Sequence, residues 1–195
     1  MSNNRSGFTM IELLAAVVIL GIMMGIAIPT VMSVLNDQRN DTYVEDAIRL
    51  ATNMDYKMRS DNKMPVPARG ACIAMNLTYL DNNTFNDAPY DGEYDMLASF
   101  VVAKRNTVAA SDIEYFYYVR LIEQTKTGAY RGINLKSVEK LYESDAKDKY
   151  VSNLDESSVK NLNSYSQASL KSLVNGSSYS IGCSSIIIYA PDASE

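Results

Sequence analysis

Residues Leu13 to Ile28 read LLAAVVILGIMMGIAI, 16 consecutive positions that are apolar or glycine. When the stretch is widened to Phe8–Met32, only Thr9, Glu12 and Thr30 are polar. As a helix it would reach roughly 37 Å at the standard rise, enough to cross the hydrocarbon of a bilayer. The sequence therefore predicts a membrane-spanning helix ahead of a polar head of ordinary domain size.

A cleaved secretory signal, a plain anchor and a segment with work to do inside the membrane all use such a stretch. A secretory signal needs a basic start, a short apolar run and a small-residue exit. Here Arg5 is the only basic residue upstream, Glu12 interrupts the start, and the small exit Gly25-Ile26-Ala27 runs straight into Ile28 and Pro29. A plain anchor leaves Glu12 unexplained, because a carboxylate in hydrocarbon costs about 2.5 to 3.5 kcal/mol on the insertion scale. Glu12 either snorkels at a helix end or has a partner.

The run Arg5-Ser6-Gly7-Phe8-Thr9-Met10-Ile11-Glu12-Leu13-Leu14 resembles the processing and assembly signature of type IV prepilins and the related secretion pseudopilins. The resemblance covers about the first 35 residues. It implies a leader over residues 1–7, cleavage between Gly7 and Phe8 by a membrane-embedded aspartyl prepilin peptidase, and methylation of the new Phe8 amine. It makes Glu12 the fifth residue of the mature chain. Gly21 and Pro29 match the family's helix-weakening positions.

Each part has a physical reason. Gly7 lets an extended leader lie close to a peptidase's catalytic groups. The cut falls on the polar side of the apolar run, so the anchor over residues 8–32 stays in the membrane. The freed Phe8 amine is a cation and Glu12 an anion in the same shell. Two staggered helices would pair them and offset much of each one's desolvation. Gly21 and Gly25 form a small-xxx-small pair that serves either helix packing or flexibility. Pro29 lacks an N–H and crowds the Gly25 carbonyl, so it is either punctuation or a hinge.

Past Pro29 the helix is expected to continue as an amphipathic segment over residues 33–62, with Val34, Val44, Ala47, Ala51, Met54 and Met58 on one stripe, stopping ahead of Pro65 and Pro67. The head over residues 63–195 reads as α+β. Met96–Ala103 and Ile113–Ile122 predict an antiparallel hairpin, and alternation from Tyr179 through Ile181, Cys183 and Ile187 to Tyr189 predicts a late strand. Short helices are expected around Leu135–Glu143 and Val159–Val174, the second stopped by Asn175 and Gly176. The expected fold is thus a long helix packed on an antiparallel sheet, a pilin-like head with inserted short helices.

Cys72 and Cys183 lie 111 residues apart and read either as a disulfide, which an exported head permits, or as two buried thiols. Many members of the resembled family instead join two cysteines near the C-terminus. The loop from Asp81 to Asp95, with Asp87, Asp91 and Glu93, suits either a calcium ion or plain solvation, and its spacing is not that of an EF-hand. No site is assigned to the serine-rich stretch Ser157–Ser185.

Composition narrows function. The 195-residue chain has no His and no Trp, which removes Ser/His/Asp and Cys/His catalysis and His-based metal sites. A net charge of -5 without a basic block argues against nucleic acid as a partner. No catalytic residue, metal or cofactor is expected, and a membrane-anchored enzyme or ligand-binding domain is the remote alternative. The resemblance implies a structural subunit that passes from the cytoplasmic membrane into a helical fibre of like subunits and other pilins, served by a prepilin peptidase, an assembly platform and an ATPase. A minor pilin at a fibre tip and a type II secretion or competence pseudopilin are its variants.

Overall fold

A computed structural model describes residues 8–80, 85, 87–108 and 115–190 of the protein. The chain falls into two compact units, one ending at Gln38 and one beginning at Arg39. A single helix, α1 (Met10–Ser60), supplies nearly all of the first and opens the second. The apolar residues of the first unit are exposed, from Phe8 at 89% to Leu35 at 41%.

In the head, Tyr43, Ala47, Leu50, Ala51 and Met54 of α1 are buried. Their spacing puts them on one face, as a helix laid on a sheet requires. The buried stripe thus begins at Tyr43, and Val34, assigned to it from sequence, is half exposed. After α1 come β1 (Cys72–Asn76), the single turn α2 (Leu77–Leu80), β2 (Glu93–Tyr94), β3 (Phe100–Arg105) and β4 (Tyr115–Gln124). Then follow β5 (Tyr130–Ser137), α3 (Val138–Leu141), α4 (Ala146–Tyr150), β6 (Val151–Leu154), α5 (Gln167–Asn175) and β7 (Ile186–Ile188).

The sheet order is β6-β5-β4-β3-β1-β7, with β2 paired to β4. Every pairing is antiparallel except β1 with β7, where Cys72 lies opposite Ile186 in parallel register. One face carries Ile73, Met75, Val101, Val119, Leu121 and Ile133 against α1. The other carries Cys72, Ala74, Phe100 and Val102 under Leu162, Leu170, Val174 and Ile181. Both faces are covered, so β1 is apolar at nearly every position rather than alternating.

The α+β class and the β3–β4 hairpin agree with the sequence reading, and several boundaries do not. Met96–Ser99 form a turn instead of strand, because the Asp95 Oδ1 accepts from the Leu97 and Ala98 N–H groups at 3.0 and 2.9 Å. Ile113, the expected strand start, lies outside the described residues. Leu135, Lys136 and Ser137 close β5 rather than opening a helix, since Lys136 and Ser137 pair with Val119 and Tyr118. The helix expected from Val159 starts only at Gln167. Ahead of it the Asn161 side chain accepts from the Asn163 N–H and caps a separate short turn, and Ser166 starts the new helix by accepting from the Ser169 N–H. The late strand shrinks to Ile186–Ile188, because Ser180 and Gly182 adopt positive φ of 50° and 72°. Cys183 and Ile187 consequently face opposite sides of the sheet.

Candidate processing and assembly site

The first turn of α1 is built by Thr9 and Glu12. The Thr9 Oγ1 accepts from the Glu12 N–H at 3.4 Å, and the Glu12 Oε2 accepts from the Thr9 N–H at 2.9 Å and the Thr9 Oγ1–H at 2.8 Å. This is a reciprocal capping box, T-x-x-E at the N-cap and third helical positions, which satisfies backbone donors that a helix start otherwise leaves open. Glu12 therefore does local work in its own chain, and one carboxylate oxygen carries both of the contacts its side chain makes. The sequence reading missed Thr9, although the T-x-x-E spacing was legible.

Phe8, immediately before this box, is 89% exposed. Gly7, the other half of the expected cleavage bond, lies outside the described residues. Gly21 and Gly25 face open space on α1, with no atom within 4 Å of where a Cβ would stand. The helix runs through Pro29 without interruption, and the Thr30 hydroxyl donates to the Ile26 carbonyl at 3.3 Å. α1 is long and apolar enough to cross a membrane, and no residue of its most apolar window is buried.

In the head, Cys72 and Cys183 are joined by a disulfide with Cα atoms 5.6 Å apart. It fastens β1 to the chain entering β7. Asn175 holds both backbone groups of Cys183, donating to its carbonyl at 2.8 Å and accepting from its N–H at 2.7 Å. This amide replaces the strand partner that the irregular segment lacks.

The acidic loop is committed to structure. Asp91 pairs with Arg39 at 3.2 Å, Asp95 caps its turn, and Glu93 lies in β2. Asp81 lies outside the described residues. Among the described residues no group of three or more acidic or cysteine side chains could hold a metal ion. The loop is instead strapped to the sheet by Glu123, whose carboxylate accepts from the Tyr90 and Gly92 N–H groups at 3.1 and 2.8 Å. Burial pushes the Glu123 carboxyl above its usual range, opposed by those two N–H groups and by Arg131. A Cβ on Gly92 would collide with the Gln124 carbonyl, so only glycine allows the loop backbone this close.

A second buried carboxylate, Asp46, accepts from the Tyr94 hydroxyl at 2.7 Å and from Arg49 at 2.6 Å. Tyr43 donates to the Arg131 carbonyl at 3.1 Å. Burial, reinforced by Asp46, pushes the Tyr94 hydroxyl far above its ordinary range, so it remains a donor. Burial does the same for Tyr43, with Glu123 adding to it. Sequence reasoning found neither Asp46 nor Glu123, since nothing in the pattern separates a buried carboxylate from a solvated one.

Residues 2–28 match a family described as the prokaryotic N-terminal methylation motif, the signal shared by type IV pilins and pseudopilins. No curated protein and no solved structure gives a significant match to the chain. The motif supports a type IV pilin-like or pseudopilin precursor, anchored by its apolar helix; it ends before the head begins.

Proposed function

We propose that the chain is a structural subunit of a type IV pilus. Residues 1–7 form the leader, a prepilin peptidase cuts after Gly7, and the Phe8 amine is methylated. Residues 8–32 hold the subunit in the cytoplasmic membrane and then form the fibre's packed centre, residues 33–62 carry the helix into the head, and residues 63–195 face outward. Like subunits and other pilins are its partners, and an assembly platform and ATPase drive its extraction into an extracellular fibre used for adhesion or motility.

The observation that carries this reading is the coincidence of the methylation motif with a helix whose apolar residues are all exposed up to Leu35, beside a head with its own closed core. An exposed apolar surface of that length needs either lipid or other helices. Both environments leave the Phe8 amine and Glu12 as the charged pair that must be matched. Gly21, Gly25 and Pro29 are the positions at which the helix yields when it changes environment. The enzymatic alternative has no comparable support.

Shearing cells and quantifying the chain in the collected filaments tests the assignment. Abundant subunit along the shaft is the expected result. Trace amounts confined to tips would reassign it as a minor pilin or adhesin, and loss of secretion in a deletion strain without any filament would make it a pseudopilin.

A further inference from the structure

The charges of the head are sorted by end. Its part of α1 runs from Arg39 to Ser60, about 30 Å at the helical rise, and so defines a start end and a stop end. At the start end three cations are neutralised, Arg39 on Asp91 at 3.2 Å, Lys147 on Asp41 at 2.9 Å and Lys149 on Asp145 at 2.7 Å, while Lys126 is exposed beside Asp87 and Glu93 without an ion pair among the described residues. Glu45, Asp87, Glu93 and Asp148 are exposed there and have no ion-pair partner among the described residues.

At the stop end the acid paired with a cation is Asp55. Asp55 binds Arg59 at 2.8 Å and the Tyr117 hydroxyl at 2.7 Å, and Asp61 accepts from the Lys63 N–H at 2.9 Å. Lys57, Arg69, Lys104 and Lys171 have no carboxylate partner among the described residues. The Lys104 and Lys171 ammonium groups donate to the carbonyls of Ile181 and Ser184, on either side of Cys183, and a carbonyl leaves their charge in place. Register fixes this location: Lys104 lies opposite Cys72, and the Ser184 N–H bonds the carbonyl of Gly70, beside Arg69.

The two surpluses stand several screening lengths apart, since charges at physiological salt are screened beyond about 8 Å, so they do not cancel within one molecule. Each end also presents an apolar side chain. Val66, held between Pro65 and Pro67, is 65% exposed at the stop end. Tyr142 is 71% exposed at the start end, on the rim of a groove of about 350 Å³ that includes Asp41, Val44 and Glu45. An apolar centre with a charged rim is the usual anatomy of a specific interface.

We infer that the stop end of one head docks on the start end of the head of a second copy of this chain, Val66 meeting Tyr142 within a ring of opposite charges. A polyanion would also meet the stop end, but the complementary surface lies on this same chain, whose net charge of -5 repels polyanions elsewhere. The docking rests on the fibre reading above and adds a contact between heads to it.

The full chain in its own cells tests this, with sheared filament yield and N-terminal mass recorded together. The double reversal Lys57→Glu with Arg69→Glu should lower filament yield by about tenfold or more, as should Glu45→Lys with Asp148→Lys, because each sets like charges face to face. Combining all four should restore most of the yield, which a misfolded head would not do. Normal yield from either pair, or a combined variant no better than the worse pair, overturns the docking and leaves the fibre reading standing. Wild-type cells that trim the chain to Phe8 yet shed no filaments overturn both.

Discussion

In the proposed fibre Glu12 is the residue that sets register, and its geometry divides its work. One oxygen closes the capping box with Thr9, so part of its desolvation is already offset inside its own chain. The proposed fibre assigns the other to a neighbour's Phe8 amine. Glu12→Ala should therefore leave membrane insertion and trimming intact while reducing incorporation into sheared filaments at least about tenfold, the effect of an unmatched buried charge. Filaments of normal yield from that variant would remove the pairing argument. Thr9→Val tests the other half: loss of the cap should weaken the first turn by about 1 kcal/mol, seen as faster amide exchange at Ile11 and Glu12 in micelles. In the head, Asp46→Ala leaves the buried Tyr94 hydroxyl without its acceptor and should lower stability by about 1 to 3 kcal/mol, measured by thermal unfolding against wild type.

Among the elements, the loop strap and the disulfide segment are the ones whose stability is conditional. Glu123 has a folded pKa above 4.5, so the folded head binds that proton more tightly than the unfolded chain does. Its ionisation therefore opposes folding: as pH falls from neutrality through the folded pKa, stability rises, and the gain levels off below 4.5. Glu123→Gln should flatten that part of a Tm profile, and identical profiles would contradict the strap. Asp55 runs the other way. Its own burial raises its pKa, but the Arg59 and Tyr117 hydrogen bonds outweigh this and hold it below 3.8, so the stability it adds is present above that pH and lost as pH falls through the folded pKa. Replacing Cys72 and Cys183 by Ala should cost about 4 to 5 kcal/mol in the chain-entropy picture, a loss read directly from denaturant midpoints. These elements also mark where sequence was legible. α1 and the β3–β4 hairpin could be read because Leu13–Ile28 and Tyr115–Ile122 carry strong local patterns. β1 could not, since burial on both faces erases alternation in Cys72–Asn76. The late segment misled because Ile181 and Cys183 are buried through a long-range disulfide and the Asn175 side chain rather than through strand pairing.

For the whole molecule, one helix serves two solvents. Up to Gln38 its apolar side chains stand exposed for lipid or sister helices; from Tyr43 the same helix buries a narrow stripe on its own sheet. The head has a closed core on both sheet faces, so the proposed extraction from the bilayer does not require it to unfold. In the proposed function, trimming after Gly7 converts the inserted precursor into an assembling subunit, and every later step inherits it. The mass of the N-terminus of native protein recovered from sheared cell surfaces tests this most directly. A chain that starts at Phe8 and carries one methyl group on its amine is the expected result; a mature, surface-recovered chain that still begins at Met1 would contradict the processing step.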